Sequence, residues 1–157
     1  MALRRFEYNT TSRSYMSLHG GTWRVHSSAV DDIELITEAL TWLAGEDSVI
    51  DVKSGKSALG APQMTLVARL SRKDALKSLG RISIGSLGRL LEEGLDARID
   101  DERVLHLRIS ISELVRGNAS LCENDGEPVV KGRFKLEAYP GDDVVALATN
   151  LICELRG

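Results

Sequence analysis

Cysteine is nearly absent from this 157-residue chain: only Cys122 and Cys153 occur, far apart in sequence. Two such residues exclude a disulfide framework and a cysteine-built metal cluster, so both are expected to be reduced and buried. Histidine is almost as scarce. His19, His26 and His106 are the three, and none has a second histidine, a cysteine or a carboxylate at metal-ligand spacing. No metal site is expected. No apolar run approaches the ~18 residues that span a bilayer, and no apolar signal core follows Met1. A cytoplasmic protein without membrane contact is the expectation. No Gly-x-Ser-x-Gly elbow is present, and neither cysteine has a histidine nearby in sequence, so nucleophilic catalysis lacks its parts. The Gly55-Lys56-Ser57 tripeptide lacks the earlier glycine of a phosphate loop, since residue 50 is Ile. The pairs Asp100-Asp101 and Glu92-Glu93 read as solvated charges in a turn and at a helix end. A non-enzyme that needs no cofactor is expected. An excess of positive charge is missing too: the net charge is −3, so any binding of polyanions must come from a local patch.

What the chain does contain is alternation. In Leu95 to Ser110 the apolar set Leu95, Ala97, Ile99, Leu105, Leu107 and Ile109 alternates with Asp96, Arg98, Asp100, His106, Arg108 and Ser110 around an acidic Asp101-Glu102 turn. Period two with one apolar side predicts strands with one buried and one open face. Met64, Leu66, Ala68 and Leu70 repeat the phase with Arg69 opposite. Val130, Phe134, Leu136 and Ala138 repeat it against Lys131, Arg133, Lys135 and Glu137. If these strands share a sheet, its open face gathers Arg69, Arg98, His106, Arg108, Lys131, Arg133 and Lys135. Asp96, Asp100 and Glu137 share that face as acidic neighbours. No aromatic residue falls in the open phase, so stacking of single-stranded bases on rings is not provided for. The ordinary alternative is that such positions simply carry solvated lysines and arginines whose stems cover apolar surface.

The remaining elements follow from spacing and punctuation. Residues 1–17 are polar and aperiodic and predict a lead-in to a single domain over 18–157. Trp23 and Val25 fit a first strand after a Gly20-Gly21 bend or bulge. Ile33, Ile36, Leu40 and Leu43 make one helical stripe, predicting a helix over 28–44 with Ser28 at its cap and Gly45 at its stop. Val49 to Lys53 reads as a short strand, Lys53 to Pro62 as a loop. Ser71 opens a helix that ends at Gly80, and Ile84 to Glu93 a second that ends at Gly94. A single helical turn is predicted over 111–117 and a short strand over 119–123. A final helix over 141–156 turns Val145, Ala148, Leu151, Ile152 and Leu155 inward. The order predicts an α+β domain, with a largely antiparallel or mixed sheet and helices on one face.

The order of motifs also resembles the archaeal RNA-binding family of predicted exosome subunits, from about Trp23 to Leu155. The resemblance is carried by Val25-His26-Ser27 before an acidic helix, the loop ending Gly60-Ala61-Pro62, and the helix opening Ser71-Arg72-Lys73-Asp74-Ala75. It is carried most specifically by Ala97-Arg98-Ile99-Asp100, Leu105-His106-Leu107-Arg108-Ile109 and Val130 to Leu136. The polar and aromatic positions of the family's loop are not matched in Ser57-Ala58-Leu59. The resemblance implies a two-layer, ribosomal-protein-like fold and a non-catalytic RNA-binding role beside RNA-processing or degradation proteins. Arg69, Arg98, Arg108, Lys131, Arg133 and Lys135 would then be phosphate contacts, extended by Lys53 and Lys56 through the loop. The second reading is an interaction or scaffold module, homodimeric or bound to an acidic partner through the same face.

Overall fold

A computed structural model of the chain describes residues 17–28 and 31–157. The expected lead-in lies, Ser17 apart, outside the described residues. Five strands form one antiparallel sheet: β1 (Leu18–Ser28), β2 (Ile50–Lys56), β3 (Pro62–Leu70), β4 (Val104–Ser110) and β5 (Val129–Leu136), in the order β2-β3-β1-β5-β4. Helices α1 (Ile33–Ala44), α2 (Arg72–Leu79), α3 (Ile84–Glu93), the single turn α4 (Ile111–Leu114) and α5 (Val144–Arg156) complete the α+β domain. Between them they cover the face that carries Trp23, Leu66, Leu105 and Phe134, all fully buried.

Large and small residues alternate across that buried face. Trp23 lies opposite Gly132 on one side and Ala68 on the other. Phe134 lies opposite Gly21 and Leu105. The two rings meet edge to face at 5.0 Å between centroids, the arrangement their quadrupoles favour. The glycines are what make room. A Cβ on Gly132 would stand 2.4 Å from Trp23, and one on Gly21 would stand 2.5 Å from Phe134. The buried indole N–H is not orphaned: Trp23 Nε1 donates to Ser78 Oγ at 2.7 Å, and Ser78 donates to the Leu43 carbonyl at 2.6 Å. One hydroxyl therefore ties β1, α2 and the end of α1 together, and it satisfies a carbonyl that the helix end leaves open.

Helix starts follow cap chemistry, with one correction. Asp32, not Ser28, caps α1 by accepting from the Leu35 N–H at 3.1 Å, and the helix begins at Ile33. Asp31 turns back to accept from Ser27 Oγ and the Ser28 N–H. The helix begins at the first residue of the apolar stripe, and Asp32, directly before it, is the side chain placed to cap it. Ser71, Ser83, Ser110 and Asp143 cap the other four helices. The cysteines are unpaired, but Cys153 is exposed and Cys122 half-buried, against the expectation that both are buried. In α5 the apolar side is Val145, Ala148, Leu151, Ile152 and Leu155, and Cys153 falls beside it, facing out.

A larger correction concerns residues 95–100. They do not form a strand. Asp96–Arg98 is a 3-10 turn, and only Ile99 bridges to Leu105. Gly94, with φ +83°, ends α3 and leaves too few residues to extend before the turn into β4. Asp100 then closes that turn, accepting from the Glu102 and Val104 N–H groups. The alternation was real, but it served a buried Leu95 and a half-buried Ile99 that meets β4 at a single bridge instead of along a strand. Past β4, residues 119–121 bridge singly to Ile82 and Ile109, covering part of the outer edge of that strand.

Candidate nucleic-acid interface

The strand register brings cations together on the face away from the helices. Arg24 pairs with Lys131, and Lys131 with Arg108. Three positive side chains thus stand in one row across β1, β5 and β4, at the ~4.8 Å spacing of neighbouring strands. One step along the strands, Thr22 is flanked by Arg69 and Arg133, and Arg133 by His106. Beyond that row stands Lys135, opposite Gly20 and Val104. On the other side of the central row, Lys53 pairs with Thr65 and Thr65 with His26. Arg24, Arg69, Arg108, Lys131, Arg133 and Lys135 are all exposed.

Acidic partners on this face are few and placed toward its margins. Asp51 pairs with Arg69, drawing that guanidinium toward β2. Asp100 holds His106 at 2.7 Å, and this hydrogen bond, with help from the Val104 N–H, keeps the Asp100 carboxyl below its ordinary range. Glu137 takes Arg72 at 2.9 Å and His19 at 3.3 Å. Lys135 donates to the Glu102 carbonyl, which leaves its charge uncompensated. Among the described residues, Arg24, Lys53, Arg108, Lys131 and Arg133 form no ion pair. His26 registers the resulting field. Partial burial, then the charges of Arg24 and Lys131, lower its pKa from the ordinary 6.5, so at neutral pH its ring is uncharged and takes part in a hydrogen bond with Thr65 Oγ1 at 3.1 Å.

Of the residues expected on this face, Arg69, Arg108, Lys131, Arg133, Lys135 and Lys53 lie there. Arg98 does not: with no strand to place it, it reaches Glu93 at the end of α3 (3.6 Å), on the helix side of the molecule. Lys56 shares the parity of Ser54 and Val52, the side opposite Lys53, and so falls away from the row. Arg24 was missed, although it is central. Its signal was present: Trp23 and Val25 set the inward phase of β1, which sends Arg24 outward between them. The Gly55-Lys56-Ser57 segment runs into a hairpin turn closed by Ser57 N–H to the Ala61 carbonyl at 2.8 Å, with strands on both sides and no phosphate-loop helix.

A polar pocket at the far end of β4 gathers Ser110, Ser112, Glu113 and Glu127. There the Glu127 carboxyl is lowered, chiefly by the Ser110 hydroxyl that donates to it. Among the described residues no group of histidine, cysteine and carboxylate side chains is placed to hold a metal. No described helix is long and apolar enough to cross a membrane.

Comparison with solved structures gives the same architecture several times. A DUF54 protein from Archaeglobus fulgidus is 25% identical with a TM-score of 0.72, over 85% of this chain and 99% of that one. A DUF54 protein from Methanothermobacter thermautotrophicus is 23% identical with a TM-score of 0.70, over 89% and 98%. A UPF0201 protein from Methanococcus jannaschii shares the fold at 9% identity, with a TM-score of 0.55 over 84% and 98%. Comparison with the curated proteins gives no match. The family model described as RNA binding matches residues 22–136, which run from the middle of β1 to the last residue of β5 and include the whole cationic row. The chain belongs to this RNA-binding family.

Proposed function

We propose that the open sheet face binds RNA through its phosphate backbone, without catalysis, with Arg24, Lys131 and Arg108 at the centre of the footprint and Arg133, Lys135 and Lys53 around it. One observation carries this reading. Like charges directly opposite each other on a sheet are destabilising, and here three stand in one row of a chain whose net charge is −3. The main core lies on the other side of the sheet, so its packing does not call for charges in that row. A polyanion laid across it turns the repulsion into attraction and releases counterions. The family membership supports the same reading. Work beside RNA-processing or degradation proteins, the exosome among them, is part of the proposal and rests on the resemblance of the motifs alone.

The test is a filter-binding titration with a structured RNA at low salt. Arg24→Glu with Arg108→Glu is expected to weaken binding by on the order of 100-fold, given two lost phosphate contacts and two added repulsions. Arg98→Gln, on the helix side, is expected to leave it within about twofold. No binding by the wild type, or equal losses from the two changes, defeats the proposal. If an acidic protein or a second copy of the chain occupies the face instead, RNA will not compete with it, and light scattering of the free protein will show the dimer.

A further inference from the structure

The cationic face is not flat. At its upper end β1 carries an irregularity between Leu18 and Gly20, where the pairing with β5 shifts by a residue. Gly20 follows it with no side chain to offer. The row Gly20–Lys135–Val104 is therefore missing the group that every other row of β1 supplies, and an open hollow of about 540 Å³ lies there. That is within the ~300–1,000 Å³ of small-molecule sites. The backbone of Gly20 and Gly21 lines it together with the apolar side chain of Val104 and the main chain of Leu70, whose side chain turns into the core. Its polar lining comes from Thr22, Arg133 and Lys135 among others, and Arg69 completes it. Because Asp51 draws the Arg69 guanidinium toward β2, the stem of that side chain is left on the hollow side. A Cβ on Gly20 would come within 2.9 Å of the Leu70 carbonyl, so the glycine is needed for the close approach of β1 to β3 as well as for the gap above it.

We infer that this hollow seats one unpaired nucleotide of a bound RNA, the base on the glycine-valine floor and its flanking phosphates on Arg133 and Lys135. The inference rests on the RNA-binding reading above and deepens it. A cationic rim alone would suit any polyanion. An apolar floor under that rim suits a planar, weakly hydrated group carried on an anionic backbone, which is what a nucleotide is. Among the described residues the sheet face has no Phe, Tyr or Trp on which a run of single-stranded bases could stack, so a continuous single strand is poorly served. A duplex with one bulged residue fits better. Its paired phosphates follow the Arg24–Lys131–Arg108 row, while the bulged base, which costs little to unstack, drops into the gap one to two rows away.

The experiment compares two RNA duplexes of the same sequence, one fully paired and one with a single 2-aminopurine bulge, by anisotropy and by the fluorescence of the reporter base. The wild type is expected to bind the bulged duplex about tenfold tighter and to change the emission of the reporter. Val104→Phe, which fills the floor, is expected to erase that preference while leaving the affinity for the paired duplex unchanged. Thr22→Leu makes the same test from the wall should the first variant fail to fold. Equal wild-type affinity for the two duplexes overturns the hollow and leaves RNA binding standing. Binding of neither duplex overturns both. Free adenosine monophosphate competing as well as the bulged duplex would also overturn the inference, since the site would then serve a small nucleotide.

Discussion

His26 stands next to the cationic row but carries no charge at neutral pH, and this makes it a reporter of what binds there. Its pKa is lowered from 6.5 by partial burial, Arg24 and Lys131. In the free protein the folded state therefore holds fewer protons than the unfolded chain as pH falls from 6.5 toward the lowered value, so acid costs stability in that window. Phosphate near Arg24 and Lys131 reverses the balance, since it favours the charged ring and raises the pKa in the complex. RNA affinity is thus expected to rise severalfold between pH 7.5 and 5.5, and His26→Gln is expected to flatten that rise. Binding titrations across pH check it, and a pH-independent wild type would separate His26 from the footprint.

At the scale of elements, the sheet works because size alternates across strands. Trp23 has room only because residue 132 is glycine, and Phe134 only because residue 21 is glycine. Gly132→Val places a branched side chain against the Trp23 ring, a contact the rigid backbone of β1 and β5 cannot open. Overpacking of this kind costs about 1–3 kcal/mol or more. The expected result is a Tm lower by on the order of 5–10 °C, with a red shift of tryptophan emission as the Trp23 environment loosens. An unchanged Tm would mean that the two strands part more easily than their register suggests. The hairpin of β2 and β3 contrasts with this. Nearly all of β2 is exposed, and Leu59 at the tip is 98% exposed, so stability is concentrated in β1, β3 and β5, and the edge is left to carry Lys53 and the Arg69–Asp51 pair.

On the scale of the whole molecule, the helices carry both signs, Glu34, Glu38, Glu92 and Glu93 alongside Arg72, Lys73, Lys77, Arg89 and Arg156, while the open sheet face holds three adjacent cations that form no ion pair among the described residues. A chain of net charge −3 is therefore expected to meet a polyanion best through that face. A footprint of about four to six phosphates gives an expected slope of about −3 to −5 in log affinity against log salt. A slope near zero, measured by the same titration from low to physiological salt, would show that the cations do not meet phosphate.

Most of the elements were legible because each is a local matter of period and punctuation: the stripe in α1, the glycine stops at 45 and 94, the alternation in β3 and β5. The segment at 95–100 was misread for a physical reason. Alternation states which residues face inward, not whether they pair along a strand, and a 3-10 turn after Gly94 buries Leu95 and part of Ile99 with no more than one bridge, from Ile99 to Leu105. Arg98 was lost from the face with that strand, and Arg24 was gained with β1. By itself, the sequence determined the phase of each strand and therefore which cations point away from the core. Only the tertiary structure decided which of them became neighbours, because strand order and register are set by long-range packing of Trp23 and Phe134 against glycines more than 100 residues distant along the chain, a relation no local window contains.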